Sequence, residues 1–352
     1  MRGDFSNQGK VRVLRPVSED RPGVVCLRNG IVESFHRVHA VLVSDSGKIL
    51  ESVGRFDLPV VYRSAAKPFQ ALPLVEDGVV DRFGLEPRHI ALAAASHNGE
   101  PGHVEGVREI LRRVDCSEGE LGLGPLRPLS ADAAEVLLRS GERILPIHNN
   151  CSGQHAAMLG LAKLHDWPLE TYLEAKHPLQ RRMLSEMARF TKIRESEIPT
   201  MLDGCGMVAF AAPLRSMALS FARFGQSASR EAGPRMILDA MAHHPFMVGG
   251  TGRLCTALVE ATGGRLIGKL GAEGVYGITI PEEGLGFALK VEDGGMRAGD
   301  PAVIRALDQW GLLGANEAES LDSFRRRPTL NSRGQLAGEM RGTGAYRGGL
   351  FE

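Results

Sequence analysis

The sequence has no excess of charge of either sign and no long basic block. Its 352 residues include 42 lysines and arginines and 42 aspartates and glutamates. The densest basic run is Arg325–Arg327, so the electrostatic footprint of a nucleic-acid-binding protein is missing. We therefore expect a small-molecule substrate and no nucleic-acid partner.

Long hydrophobic runs are also missing. The longest apolar stretches, such as Met207–Leu214, are far shorter than the ~20 residues that span a bilayer. The polar residues 1–10 lack the apolar core of a signal peptide. We expect no membrane partner and a cytoplasmic location.

Cysteine is scarce, and an odd number of thiols argues against a disulfide framework. The five cysteines are Cys26, Cys116, Cys151, Cys205 and Cys255. If the fold brings Cys151 and Cys205 together, their thiolates could bind a soft metal, with Gln154 or His155 as a further ligand. Two buried structural cysteines are the alternative interpretation.

Strand patterns at the two ends of the sequence enclose a helical middle. Residues 31–43, the turn Asp45–Lys48 and residues 49–56 predict an early hairpin. Amphipathic patterns predict helices over 103–114, 153–165, 178–190, 213–224 and 232–242. Strand patterns return at 265–269, 275–280 and 287–291. This order predicts one α+β domain over residues 1–352, a non-local sheet flanked by helices, with 1–10 and 338–352 frayed.

A serine stands three residues before a lysine, at Ser64 and Lys67. On a helical turn these positions share a face, so an unprotonated lysine could accept the proton of a serine that attacks a carbonyl. The pair predicts a hydrolase with an acyl-enzyme intermediate. A solvated lysine near a helix N-terminus is the alternative interpretation.

A lysine has a pKa near 10.4 in water, so Lys67 can act as a base only if burial or a second cation keeps it neutral. Lys269, in a predicted strand just before Gly271, is the candidate for that cation, and Lys290 competes with it. Ser96 follows a small apolar segment and could relay a proton from Lys269 to a leaving amine. The alternatives are a solvent-facing strand lysine and a turn serine.

Two charged residues are candidates for substrate binding. Arg63, beside the serine, could pair with a substrate carboxylate, and Asp203, beside Gly204, could pair with a substrate ammonium group.

Five segments, taken together, resemble the bacterial asparaginases of the Rhizobium etli type. They occur in that family's order and are Arg63–Gln70, Ser96–Glu100, His148–Gly153, Asp203–Gly206 and Lys269–Gly274. The resemblance extends over about residues 32–333. It implies a fold similar to that of glutaminases and serine β-lactamases, a homodimer, and the hydrolysis of L-asparagine to L-aspartate and ammonia.

The resemblance also implies roles for individual residues. Ser64 would be the nucleophile and Lys67 its base, while Ser96 and Lys269 would form a second serine–lysine pair. The substrate pocket would be lined by Arg63, His155 and Asp203.

The resemblance further implies a zinc ion bound by Cys151 and Cys205. Gln154 stands where the family has a lysine that is itself a zinc ligand, and a neutral amide oxygen is a weaker donor than a deprotonated amine. We expect weakened zinc binding, and a zinc ion that tunes the affinity for substrate.

Two other functions stay open at this point. One is an acyl hydrolase of the β-lactamase or peptidase kind, which the Ser64–Lys67 spacing alone would allow. The other is a non-catalytic amino-acid sensor, for which the replacement at Gln154 is the hint. Asparagine and glutamine are not distinguished by the sequence, because one methylene changes discrimination by only ~1–3 kcal/mol.

Overall fold

The structure is a computed structural model that describes residues 23–343. The strands in this range are β1 (Val24–Arg28), β2 (Ile31–His36), β3 (Val38–Ser44), β4 (Ile49–Val53), β5 (Pro59–Val61), β6 (Thr200–Leu202), β7 (Val208–Pro213), β8 (Ile267–Gly271), β9 (Val275–Ile280), β10 (Leu285–Val291), β11 (Arg326–Leu330) and β12 (Leu336–Gly342).

The α-helices in the same range are α1 (Lys67–Gln70), α2 (Leu72–Glu76), α3 (Val79–Phe83), α4 (Pro87–Ala93), α5 (Pro101–Arg113), α6 (Ala131–Ser140), α7 (Ser152–Leu164), α8 (Pro178–Thr191), α9 (Leu214–Ser227), α10 (Ala232–His243), α11 (Pro245–Val248), α12 (Leu254–Ala261), α13 (Met296–Gln309), α14 (Ala315–Ser320) and α15 (Asp322–Arg325).

The central sheet joins the two ends of the chain. Its strand order is β4-β3-β10-β9-β8, and neighbouring strands are antiparallel. The early hairpin β3–β4 therefore pairs with strands from the last third, through register pairs such as Val41 with Ala288. The predicted non-local sheet is confirmed.

Helix α9 packs tightly on one face of this sheet because two glycines leave room for it. A Cβ added to Gly286 would lie 2.0 Å from the carbonyl oxygen of Ala218. One added to Gly277 would lie 2.0 Å from the Phe221 ring. Only glycine permits such an approach of helix backbone to strand.

The opposite face of the sheet is covered as well. Phe287 points away from α9 because successive strand residues alternate between faces, and its ring lies 5.6 Å from the ring of Trp310 at the end of α13. The predicted α+β fold, a sheet flanked by helices, is confirmed.

Two smaller sheets were not predicted from the sequence. Their orders are β11-β12-β1-β2 and β5-β7-β6. Strand β12 contains residues 338–342, which the sequence analysis expected to fray. They pair with β1 instead, where Gly338 would place a Cβ 2.1 Å from the Leu27 carbonyl oxygen and Met340 is buried. Residues 1–10 and 344–352 lie outside the described range, and the single-domain assignment stays a prediction.

Among the described helices, none is long and apolar enough to cross a membrane.

Candidate active site

The Ser64–Lys67 turn lies against the edge strand β8. Residues Arg63–Ala66 form a short 3-10 helix, and the Lys67 backbone N–H donates to the Ser64 carbonyl. Strand β8 comes this close because Gly271 has no side chain: a Cβ there would lie 2.5 Å from the Tyr62 carbonyl oxygen. The serine and the lysine therefore share one turn at the sheet edge, as the sequence predicts.

Lys67 is buried, with 2% of its surface exposed, whereas Ser64 is half-buried. The Lys67 Nζ donates a hydrogen bond to the Ala95 carbonyl oxygen at 2.5 Å. Within residues 23–343 the Ser64 hydroxyl makes no hydrogen bond. In structures without substrate, the hydrogen bond between a nucleophile and its base is often long, and it tightens when substrate binds.

Ser96 and Lys269 meet directly in the interior. The Lys269 Nζ donates to the Ser96 Oγ at 2.8 Å and to the Leu270 carbonyl at 2.8 Å, and Lys269 is 1% exposed. Burial lowers the pKa of Lys269 to about 7; the Cys255 side chain opposes this shift, and the Lys67 charge adds to it. A lysine that titrates near neutral pH can exchange a proton during catalysis.

The two serine–lysine pairs form one cluster. Ala95 accepts from Lys67 and the next residue, Ser96, accepts from Lys269, while the two lysines are close enough for one charge to lower the pKa of the other. Lys67 and Lys269, which are 202 positions apart in sequence, thus lie near each other just after helix α4 ends.

Lys290, the competing lysine, lies in the wall of a cavity that Arg63 also lines. Its Nζ donates to the carbonyl oxygens of Glu273 and Val291, at 2.6 and 2.5 Å, and Ser96 is not among its partners. The structure therefore brings Lys269, and not Lys290, to Ser96.

Arg63 and Asp203 bind each other. The Arg63 Nε donates to the Asp203 Oδ1 at 2.6 Å, and the same oxygen accepts from the Gly204 N–H. The backbone of Arg63 has a φ of 49°, which is uncommon for residues other than glycine and indicates a constrained conformation. The sequence analysis assigned the two charges to opposite ends of a substrate; the structure brings them together beside Ser64.

Cys151 and Cys205 are also adjacent, as the sequence analysis required for a metal site. A hydrogen bond from the Cys205 thiol, and then the nearby Lys67 charge, lower the pKa of Cys151. The same contact raises the pKa of Cys205, because that thiol donates the shared proton and is buried. The pair lies next to the Lys67 amine.

The predicted zinc ligands do not form a complete set. The Gln154 Nε2 donates to the Gln70 Oε1 at 2.7 Å, so its amide is held by a second buried amide. No group of three or more His, Cys, Asp or Glu residues in range 23–343 is placed to hold a metal. Zinc usually has three or four protein ligands, and the two thiols fall short of that number.

His155 is completely buried within the cluster. Its Nδ1 lies 2.6 Å from the Tyr172 hydroxyl, which also accepts the Gly122 N–H at 2.8 Å. Burial, and secondarily the Lys67 charge, lower the pKa of His155 to about 3. The His155 Nε2 has no hydrogen-bond partner among the described atoms.

The sequence analysis missed Tyr172 and Arg253. Arg253 donates to the Asn98 Oδ1 at 2.8 Å, which ties the Ser96 loop to the turn before α12, and the Ser96 N–H donates to the Val248 carbonyl. The glycines of Gly249–Gly252 could have indicated a turn that approaches another segment closely. Tyr172 lies in an irregular segment that offers no such signal.

One cavity lies away from the serine–lysine cluster. It has a volume of about 890 Å³ and lies outside the Ser96 loop, lined by Asn98 and Arg253 among others. A cavity of about 450 Å³ includes Arg63 and Gly204 in its wall. It opens beside the Ser64 turn and is therefore the nearer approach for a small substrate.

Comparison with known proteins gives a family match over most of the chain. The model of the L-asparaginase II family matches residues 24–342. A search of curated proteins gave no match.

Two solved structures are similar at low identity. A β-lactamase of Mycobacterium bovis is 14% identical, with a TM-score of 0.44, and the match covers 78% of this chain and 94% of that one. A proposed β-lactamase of Bacteroides dorei is 14% identical, with a TM-score of 0.40 and the same shares covered.

Proposed function

We propose that this chain, which belongs to the L-asparaginase II family, hydrolyses the side-chain amide of L-asparagine to L-aspartate and ammonia through a serine acyl-enzyme. The observation that carries the proposal is the buried contact between Lys269 and Ser96, next to Lys67 and the Ser64 turn. Two lysines buried within electrostatic range of each other are costly to fold, and catalysis is the use that accounts for them.

Ser64 attacks the amide carbon, and its proton passes to the unprotonated form of Lys67, one helical turn away. The developing oxyanion is stabilised by backbone N–H groups. One donor is the backbone N–H of Ser64, and a second donor is needed from strand β8. The Leu270 N–H is excluded because it already donates to the Cys255 sulfur. The second donor therefore comes from residue 271 or beyond.

Ammonia leaves when the tetrahedral intermediate collapses. Lys269 donates a proton to the Ser96 oxygen while the Ser96 hydroxyl proton moves to the departing nitrogen, so that the pair acts as one acid. Water then attacks the aspartyl ester and gives a proton to the Ser96–Lys269 pair, the Ser64 oxygen recovers its proton from Lys67, and aspartate is released.

We assign substrate binding to residues near Ser64. The unused nitrogens of Arg63 are suited to the α-carboxylate, and Asp203 to the α-ammonium group. His155 adds a neutral donor. The existing Arg63–Asp203 ion pair keeps both charges in place before substrate enters.

Zinc remains a separate proposal. Cys151 and Cys205 would hold the ion, but no catalytic step is assigned to it because the ligand set is incomplete. If zinc binds and tunes affinity, chelation should raise the KM for asparagine. Metal content by mass spectrometry and KM before and after chelation test this, and an unchanged KM would refute the role in affinity.

The experiment that tests the proposed function is an ammonia-release assay with L-asparagine, L-glutamine and no substrate, beside a penicillin-hydrolysis assay. We expect ammonia from asparagine in the wild type and a loss of several decades in rate for Ser64→Ala. Penicillin turnover without amidase activity would favour the β-lactamase-like alternative. Binding of asparagine without ammonia release would favour the sensor.

A homodimer and a cytoplasmic location remain predictions. Sedimentation of the purified chain checks the first, and cell fractionation checks the second.

A further inference from the structure

We infer that Tyr172 is a positioning residue that fixes His155 in the Nε2–H tautomer, so that His155 donates a hydrogen bond to an acceptor oxygen of the bound substrate. The inference deepens the proposed function and rests on it for the substrate. It depends on the chain Gly122 N–H, Tyr172 hydroxyl, His155 Nδ1.

The direction of these hydrogen bonds follows from the donor at the start of the chain. A backbone N–H can only donate, so the Tyr172 oxygen accepts from Gly122 at 2.8 Å. The hydroxyl proton then needs an acceptor, and the atom at 2.6 Å is the His155 Nδ1. Tyr172 is 1% exposed, so its hydroxyl cannot donate a hydrogen bond to bulk water.

A His155 Nδ1 that accepts a hydrogen bond carries no proton. The ring proton of the neutral imidazole therefore resides on Nε2. This is the atom that is buried and without a partner among residues 23–343. A buried N–H left unpaired costs stability, and such exceptions call for an explanation.

The position of the ring points to the substrate as the missing partner. His155 lies in the first turn of α7. Its neighbour Gln154 donates to Gln70 of α1, the helix that begins at Lys67. Asparagine offers oxygen acceptors there: the α-carboxylate and the amide carbonyl. A protonated Nε2 also excludes His155 as a metal ligand in this arrangement, since a ligating nitrogen must offer a lone pair.

The first test observes the tautomer itself. Protein labelled with ¹⁵N-histidine, in long-range ¹H–¹⁵N spectra, should show for His155 a protonated Nε2 and an unprotonated Nδ1, the signal being assigned by its loss in His155→Gln. In Tyr172→Phe this signature should be lost. A His155 signal protonated at Nδ1 in the wild type would overturn the inference, whether or not the protein hydrolyses asparagine.

The second test uses two replacements that each keep one end of the imidazole. Glutamine can place an N–H near the Nε2 position, and asparagine only near Nδ1. We expect His155→Gln to keep the KM for asparagine within a few-fold, and His155→Asn and Tyr172→Phe to raise it about 10- to 100-fold. Equal effects of His155→Gln and His155→Asn would overturn the inference.

A third experiment, with an analogue of the substrate, identifies the acceptor oxygen. β-Alaninamide lacks the α-carboxylate of asparagine but keeps the amide. If the His155→Asn loss in kcat/KM disappears with β-alaninamide, the carboxylate is the acceptor; if it persists, the carbonyl is. A wild type inactive on both amides would refute the proposed function while leaving the tautomer assignment to the spectra.

Discussion

At the scale of single residues, the proposed chemistry depends on amines that are kept from water. Lys269 is the clearest case: burial and the Lys67 charge bring its pKa to about 7, against the opposing effect of Cys255. In water the same group would be charged at any physiological pH. Lys269 is therefore a buried amine whose pKa is lowered further by a second buried lysine nearby.

The Lys269 pKa predicts the pH dependence of the reaction. If Lys269 supplies the proton that leaves with ammonia, the protonated form is active, and kcat/KM for asparagine should fall as pH rises past about 7. Lys269→Arg, whose guanidinium holds its proton too tightly to donate it, and Lys269→Met, which has no proton to donate, should both be nearly inactive. A wild-type profile that rises through pH 7 would contradict the assignment of Lys269 as the acid.

Some of these residues could be predicted from the sequence and others could not. Ser64 and Lys67 are close in sequence, so their common turn follows from local geometry. Ser96 and Lys269 were predicted as partners through a family resemblance, because a hydrogen bond across 173 positions has no local signal. The Arg63–Asp203 ion pair was not foreseen, since each charge alone suits a substrate group equally well.

At the scale of helices and strands, the close contact of α9 with the central sheet holds the fold together. This contact exists because Gly286 and Gly277 expose strand backbone to the helix. Strand β10 is the middle strand of the sheet. A displacement of α9 would therefore disturb the sheet on both sides of β10.

Gly286→Ala should destabilise the protein. The new Cβ would lie 2.0 Å from the Ala218 carbonyl oxygen and 2.3 Å from the Ala222 nitrogen, both backbone atoms of α9. We expect a loss of about 1–3 kcal/mol in the free energy of unfolding, measured with urea.

The matched control is Gly299→Ala in helix α13, where an added Cβ meets nothing within 4 Å. It should leave stability unchanged or raise it by about 0.5–1 kcal/mol, because alanine favours helix over glycine. Equal destabilisation by the two substitutions would show that close packing at Gly286 is not the cause.

Periodicity predicts the helices well where they are long and amphipathic. The expected helix over 178–190 corresponds to α8 at Pro178–Thr191, and the one over 153–165 to α7. The chain after Ser64 forms three short helical pieces, because Pro68 and Pro73 lie in the first turns of the second and third pieces. Residues 89–92 were not predicted as a helix, yet they belong to α4.

At the scale of the whole molecule, the site couples function to stability. Burying Lys269 lowers its pKa from the unfolded value near 10.4, so the unfolded chain binds more protons than the folded one between pH 7 and 10. Stability conferred by this group therefore rises with pH across that window. Below pH 7 the folded protein holds a buried charge.

Lys269→Met should be more stable than the wild type while losing activity. At pH 6 we expect a gain on the order of 1–3 kcal/mol in the free energy of unfolding, because a buried charge is replaced by an apolar side chain of similar length. The gain should shrink as pH rises toward 10.

Lys290→Met in strand β10 serves as the comparison, because Lys290 is only partly buried. It should change stability less than Lys269→Met does. A Lys269→Met variant that is less stable than the wild type at pH 6 would show that the lysine contributes more to folding through its hydrogen bonds than it costs through burial.

The overall arrangement of the chain was predictable because its strand patterns lie at both ends. What the sequence analysis missed includes β5, β6, β11 and β12, whose side chains are mostly exposed or half-buried. Strands that bury few side chains leave little periodic signal.

The most direct measurement of the central claim is the intact mass of the enzyme quenched in acid during turnover of L-asparagine. The account predicts a covalent aspartyl adduct that peptide mapping assigns to Ser64, with no adduct in Ser64→Ala. Ammonia release from asparagine by Ser64→Ala at the wild-type rate, or an adduct on another residue, would contradict it.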